Sequence, residues 1–338
     1  MSRNLDPHTE HSDITKPYTY ICGLPAKNVR DILIDSFNVW LSLPPNLITK
    51  IKCIIRMLHN ASLIIDDIED GSKLRRGSPV AHSLFGVAST INAGNYIYFQ
   101  ALELTLALDK EGAAASGAAA SGAEGGSKPT NCIGVFTSEL LNLHRGQGQD
   151  IVWRDENTCP SLEQYEAMVL DKTGGLFRLA VGLMVQFRHE GSKGKGEFGK
   201  LVELLALYFQ IRDDLINLAS EDYFKEKGYC EDLVEGKYSY PIIHCLDTPS
   251  GDIVRNVLKR CTEDRDVLSY ARSMMLKEGS FRFTYARCEE LKQSIVAEID
   301  VQGGHEGLKG LVELLHKQVR KVGEEVSDKP VLERIDST

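Results

Sequence analysis

The sequence predicts an all-α fold, a single-domain helical bundle around a central active-site cavity. Two observations lead there: strand signatures are rare, and apolar residues recur at the helical period through most of the 338 residues. Hydrophobic residues make up 42% and charged residues 26%, enough for a sizeable core, and no apolar run approaches the length of a membrane span. Residues 1–17 read as a polar N-terminal tail, 18–325 as the folded domain and 326–338 as a C-terminal tail.

Pro25 precedes a first predicted helix over 26–43, with Val29, Ile32, Leu33, Phe37 and Leu41 on one face; Pro44 and Pro45 stop it. A second begins near Asn46 with the face Ile51, Ile54, Ile55, Leu58, Ser62, Ile65, and ends in Asp66-Asp67-Ile68-Glu69-Asp70 before Gly71. An acidic ending is unexpected, because a helix C-terminus already carries partial negative charge and favours cations. Further helices are predicted over 88–108, 131–150, 161–189, 198–219, 250–277, 280–301 and 307–325. Between them, 111–128 is low-complexity Ala, Gly and Ser, and reads as a mobile loop.

A net charge of −9 argues against binding a nucleic-acid backbone, so anionic ligands need locally placed Lys and Arg. The eight cysteines are scattered with no CxxC pair, as expected of free thiols in a reducing compartment. With no signal-peptide core near the N-terminus, the default location is cytoplasmic.

Asp66, Asp67 and Asp70 form a DDxxD motif in which Asp66 and Asp70 share a helix face one turn apart. Taken alone, it reads equally well as a solvated helix end. Asp213, Asp214 and Asn217 repeat the spacing after another apolar helical run, and two such sites are hard to explain as surface decoration. Facing helices would let these carboxylates hold magnesium against a diphosphate. Arg75 and Arg76 follow the first motif within a few residues, and arginine offers planar, multidentate donors to phosphate. Lys27 and Arg30 sit in the first turns of a predicted helix, where backbone amides also favour anions. Lys172-Thr173 adds a cation and a hydroxyl beside a Gly-Gly break, and Lys227 and Lys237 follow the second motif.

Together, IIDDIEDGSKLRRGSPVAH, LHRGQGQDIVWRD, DKTGGLFRLA, YFQIRDDLINL and CEDLVEGKYSYPIIH resemble the trans-isoprenyl diphosphate synthase family, in particular its fungal geranylgeranyl diphosphate synthases. The resemblance spans about Tyr18 to Leu246. It implies the prenyl synthase fold and a homo-oligomer. Asp66, Asp67, Asp70, Asp213 and Asp214 would bind magnesium, roughly three ions per active site, with the allylic diphosphate between them. By the same resemblance, Arg75, Lys172, Thr173, Gln210, Lys227 and Lys237 serve the allylic diphosphate or its metal cluster, Lys172 and Lys237 among the catalytic groups, and Asn217 is a further substrate-binding candidate. Lys27, Arg30, His59 and Arg76 would hold isopentenyl diphosphate.

The implied reaction ionises the allylic carbon–oxygen bond, adds the double bond of isopentenyl diphosphate to the carbocation and loses a proton, without a side-chain nucleophile. Ala61 and Ser62, just before the first motif, are small and leave the pocket open past fifteen carbons. Tyr98, Phe99 and His144 match its floor, so the expected product is geranylgeranyl diphosphate. Three departures from the family pattern stand out: Asn217 replaces an Asp, the Lys27 loop lacks a double glycine, and the low-complexity insertion lies between Asp109 and Asn131. A farnesyl-length synthase, a class I terpene cyclase and a non-catalytic subunit of a heteromeric synthase remain as alternatives.

Overall fold

The computed structural model describes residues 13–26, 28–115, 130–188, 197–220, 224 and 228–327. Among them are fifteen helices and one two-stranded ribbon, so the fold is all-α, as expected. The chain divides into two compact units, Met1–His144 with Gly175–Gly199, and Arg145–Gly174 with Lys200–Thr338.

In the first unit, α1 (Lys16–Cys22), α2 (Val29–Leu41), α4 (Ala81–Phe85) and α5 (Val87–Ala115) gather on α3 (Pro45–Glu69). Helix α1 overlaps the tail expected at 1–17; Pro17 suits its first turn, and buried Tyr18 and Ile21 anchor it. Ser42 at φ 56 ends α2, and Pro45 starts α3. On α3 the buried stripe is Ile51, Ile54, Ile55, Leu58, Ala61 and Ile64, all at 2% exposure or less. Ser62 and Ile65, expected on that stripe, lie beside it and are half-buried. Gly94 of α5 lies against Ile65, close enough that an added Cβ would stand 2.8 Å from the Ile65 side chain. The ribbon pairs β1 (Leu74–Arg75) with β2 (Ser78–Pro79) through Arg76 and Gly77, at φ 56 and 75. Two consecutive positive-φ residues suit a tight hairpin whose twist matches its strands.

Helix α5 runs past the predicted 108 into the low-complexity stretch as far as Ala115. The rest of that stretch, 116–128, lies outside the described residues. Next comes α6 (Cys132–Asp155), whose residues through His144 belong to the first unit. The helix expected over 161–189 is two, α7 (Leu162–Lys172), started by a Ser161–Gln164 capping box, and α8 (Gly174–Gln186).

The second unit also contains α9 (Gly199–Ala219), α10 (Glu231–Val234), α11 (Tyr240–Leu246), α12 (Gly251–Arg260), α13 (Arg265–Lys277), α14 (Ser280–Val301) and α15 (Glu306–Ser327). The helix predicted over 250–277 is broken at Asp264, whose carboxylate accepts from the backbone N–H of Asp266 and Val267 and starts α13. No helix of the described residues is long and apolar enough to cross a membrane.

Candidate active site

The last turns of α3 place Asp66 and Asp70 half-buried on one face, while Asp67 turns inward and is 1% exposed. The ribbon folds Arg75 back onto this end. Its Nε donates to Asp67 Oδ1 at 2.8 Å, its Nη2 donates to the same oxygen, and Nη2 lies 3.4 Å from Asp66 Oδ2. Asp67, expected as a metal ligand, is here the buried ion-pair partner of Arg75. The reason is rotational: at about 100° per residue, Asp67 cannot share the face of Asp66 and Asp70.

Nearby, Arg30 Nη1 and His59 Nε2 are 2.8 Å apart, joining the start of α2 to the middle of α3. Arg30 Nε is buried with no hydrogen-bond partner among the described residues. Burial, then the charge of Arg76, brings the Arg30 pKa down to about 10. Burial and the charges of Arg30, Arg76 and Arg75 hold the His59 imidazole well below the usual range. Arg76 is pushed down by burial and Arg75, against Cys22 and Asp67. Cationic groups crowded this closely create a site where an added anion relieves repulsion and satisfies a buried donor. Lys27, expected in the same set, lies outside the described residues.

In the second unit, Asp213 is half-buried but Asp214 is 1% exposed and surrounded by donors. Its Oδ2 accepts from the Tyr165 hydroxyl and from the Tyr240 N–H at 2.9 Å, and its Oδ1 accepts from Gln210 Nε2 at 2.9 Å. Gln210 Oε1 accepts from the Thr173 hydroxyl at 2.8 Å, so the second motif is linked to the junction of α7 and α8. Lys237 Nζ lies 4.0 Å from Asp214 and 3.9 Å from Asp232. Burial opposes its charge, yet Asp232, Asp214, Asp150 and Glu235 together hold its pKa well above the usual value. Lys172 donates to Asp150 at 2.7 Å. Burial, then Asp214, pushes the Tyr165 pKa well above the usual phenol value.

Asp214, expected to hold magnesium, is buried and accepts hydrogen bonds from Tyr165, Gln210 and Tyr240. Asn217, expected to serve the substrate or its metals, is 3% exposed, and its side-chain oxygen accepts from the Asp232 N–H at 3.2 Å. Lys227 lies outside the described residues. Asp150, Asp232 and Tyr240 fall within the quoted motifs without having been singled out. Tyr165 had no motif signal at all, since only tertiary packing brings it to Asp214.

Tyr98 and His144, expected as a pocket floor, do meet, with ring centroids 5.8 Å apart. Burial, then Glu69 and Asp66, pushes the Tyr98 phenol upward. Phe99, one residue further around α5, is 70% exposed. Ala61 is fully buried and Ser62 half-buried, its hydroxyl donating to His59 O at 2.8 Å, so Ser62 is the more open of the two.

Among the described residues, no three His, Cys, Asp or Glu side chains gather closely enough to cage a metal ion. Hard carboxylate oxygens offered one or two at a time fit magnesium, which keeps waters and substrate phosphates in its shell.

Comparison with known proteins gives a consistent picture. The family described as polyprenyl synthetase matches residues 11–275. A geranylgeranyl pyrophosphate synthase, spyE, of Aspergillus fumigatus is 45% identical over 306 residues, 89% of this chain and 79% of its own. A geranylgeranyl pyrophosphate synthase of Dictyostelium discoideum is 44% identical over 303 residues, 89% of this chain and 92% of its own. A protein named terpene synthase from Matsumurasca onukii is 42% identical over 300 residues, 88% of this chain and 91% of its own.

Proposed function

The chain belongs to the polyprenyl synthetase family, and from that premise we propose that it condenses isopentenyl diphosphate with allylic diphosphates to give geranylgeranyl diphosphate. The observation that carries this reading is the cluster of Arg30, His59 and Arg76 beside the first acidic motif. A cyclase ionises one prenyl diphosphate and needs no second anion site; a transferase needs one for isopentenyl diphosphate. Both acidic motifs are present, which disfavours a non-catalytic subunit.

Asp66 and Asp70 in the first unit, and Asp213 in the second, are the carboxylates best placed to hold magnesium. Bound magnesium would neutralise the leaving diphosphate and so lower the cost of breaking the allylic carbon–oxygen bond. Lys172, Thr173, Gln210 and Lys237 orient and stabilise the allylic diphosphate. Asp214 holds Gln210 in place, and Asp67 holds Arg75, which reaches the diphosphate from the ribbon. Arg30, His59 and Arg76, together with Lys27, hold the isopentenyl diphosphate so that its double bond meets the allylic carbon. Positioning and electrostatics supply most of the rate. The released diphosphate can take the proton, so no protein base is required.

Ser62, with no bulky ring to close the pocket, supports elongation past fifteen carbons, and the Tyr98–His144 pair supports a twenty-carbon stop. The enzyme works in the cytoplasm as a homo-oligomer. Supporting an oligomer, Val87, Ile91 and Phe99 are exposed on α5, within a stretch from 77 to 102 that has no Asp, Glu, Lys or Arg.

Purified protein incubated with magnesium, isopentenyl diphosphate and dimethylallyl, geranyl or farnesyl diphosphate in turn is expected to yield a twenty-carbon alcohol after the diphosphate is removed, identified by mass spectrometry. A fifteen-carbon end point would overturn the product length and leave the transferase reading standing. No condensation by folded protein with any starter would sink the transferase reading.

A further inference from the structure

Behind the second acidic motif lies a polar array that the reaction above does not use. His316 of α15 is 0% exposed. Its Nδ1 is 3.1 Å from the Tyr208 hydroxyl of α9, and its Nε2 is 2.6 Å from Glu289 Oε1 of α14. The Tyr285 hydroxyl donates to the same Glu289 oxygen at 3.0 Å. One proton arrangement satisfies all of these groups: Tyr208 donates to Nδ1, and Nε2–H donates to Glu289. One turn along α9, Arg212 Nε donates to Leu315 O at 3.1 Å and its Nη2 donates to Gln318. Glu289 and His316 lie beyond residue 275, where the family match ends.

Helix geometry connects this array to the site. At about 100° per residue, Tyr208 and Arg212 share one face of α9, while Gln210, Asp213, Asp214 and Asn217 fall roughly on the opposite face. Burying the Tyr208 hydroxyl and the His316 ring beside half-buried Glu289 is costly in desolvation, and an apolar contact in their place would bury α9 equally well. What directional bonds add is a defined rotation.

We propose that Tyr208, His316 and Glu289 are positioning residues that fix the rotation of α9 and thereby the aim of Asp213. The proposal rests on the transferase reading, in which Asp213 holds magnesium. Neither Tyr208 nor His316 touches substrate; they act through the helix.

The test uses the full chain and two conservative variants, Tyr208→Phe, which deletes one oxygen, and His316→Gln, whose amide oxygen can still accept from Tyr208. Magnesium is titrated at saturating substrates, and folding is followed by circular dichroism. Tyr208→Phe is expected to raise the magnesium concentration for half-maximal rate roughly tenfold, the scale of one lost hydrogen bond. Its helical content and its KM for isopentenyl diphosphate should stay unchanged, and His316→Gln should fall between it and the natural chain. An unchanged magnesium requirement in folded Tyr208→Phe would overturn the proposal and leave the array a packing feature. A natural chain that makes no product would instead sink the transferase reading. The thermal shift produced by magnesium with inorganic pyrophosphate then decides the relay: a smaller shift in Tyr208→Phe supports it, and an equal one overturns it.

Discussion

Neighbouring aspartates in this chain have different physical situations. Asp213 is half-buried, whereas Asp214 is buried under three donors, so removing each carboxylate should have different effects. Asp214→Ala strands the Tyr165 hydroxyl, the Tyr240 N–H and the Gln210 amide, and should cost about 2–4 kcal/mol in urea unfolding. Asp213→Ala should cost less than about 1 kcal/mol but raise the magnesium requirement. Equal losses of stability would contradict the assignment of Asp214 as an organiser. His59 offers a test by pH. In the free protein, burial and three arginines hold its pKa well below the usual value, so it is neutral near pH 7. A bound diphosphate brings opposite charge and raises that pKa, so binding takes up a proton and tightens as pH falls toward the free-state value. The KM for isopentenyl diphosphate should therefore drop between about pH 8 and about pH 6, and drop less in His59→Gln. Superimposable profiles for the two proteins would remove His59 from the substrate site.

At the scale of elements, the site depends on where helices end and how closely they approach. Helix α9 is tied within its own unit at several points: Tyr208 and Arg212 bond to α15, Asp214 to Tyr165 and Tyr240, and Arg272 caps its C-terminus by donating to Leu218 O at 2.8 Å and Ala219 O at 2.9 Å. The end of α7 is set by a close approach. A Cβ on Gly146 of α6 would lie 2.3 Å from the backbone nitrogen of Lys172, a position that real atoms do not occupy. Gly146→Ala should therefore move the Lys172–Thr173 segment and cost about 1–3 kcal/mol. Its KM for the allylic substrate should rise roughly tenfold, because misplacement of even an ångström weakens an oriented contact. Steady-state kinetics on both substrates checks this, since the KM for isopentenyl diphosphate should not move. Helical periodicity located most of these elements, but missed the ribbon, whose two-residue strands are too short to show alternation, and α1, α4, α10 and α11, which carry too few turns for a period. The break at Asp264 was missed, and the Gly-Gly signal beside Thr173 was noted without dividing the predicted helix, because packing and capping decide where each helix stops.

For the whole molecule, the two units are interleaved in sequence, each built from two segments. Residues 175–199 return to the first unit, where Phe198 stacks on Trp40 at 5.5 Å and meets Phe37 edge-on at 5.3 Å. Arg178 of α8 donates to Glu139 of α6 at 2.9 Å within the same unit. A fragment ending at residue 144 should therefore show no cooperative unfolding transition by circular dichroism in urea, despite containing the first acidic motif. A sharp transition would mean that 175–199 is dispensable and that the first unit folds on its own. The sequence by itself determined the all-α class, both acidic motifs and the cations beside them, because periodicity, local spacing and charge are properties of short stretches of chain. Only tertiary structure decided that Asp214 is enclosed by donors, that Tyr165 and Asp150 join the site, that Phe99 faces outward, and that α15 bonds to α9. Each of those outcomes depends on residues far apart in the chain arriving at one place, and no local pattern encodes that arrival.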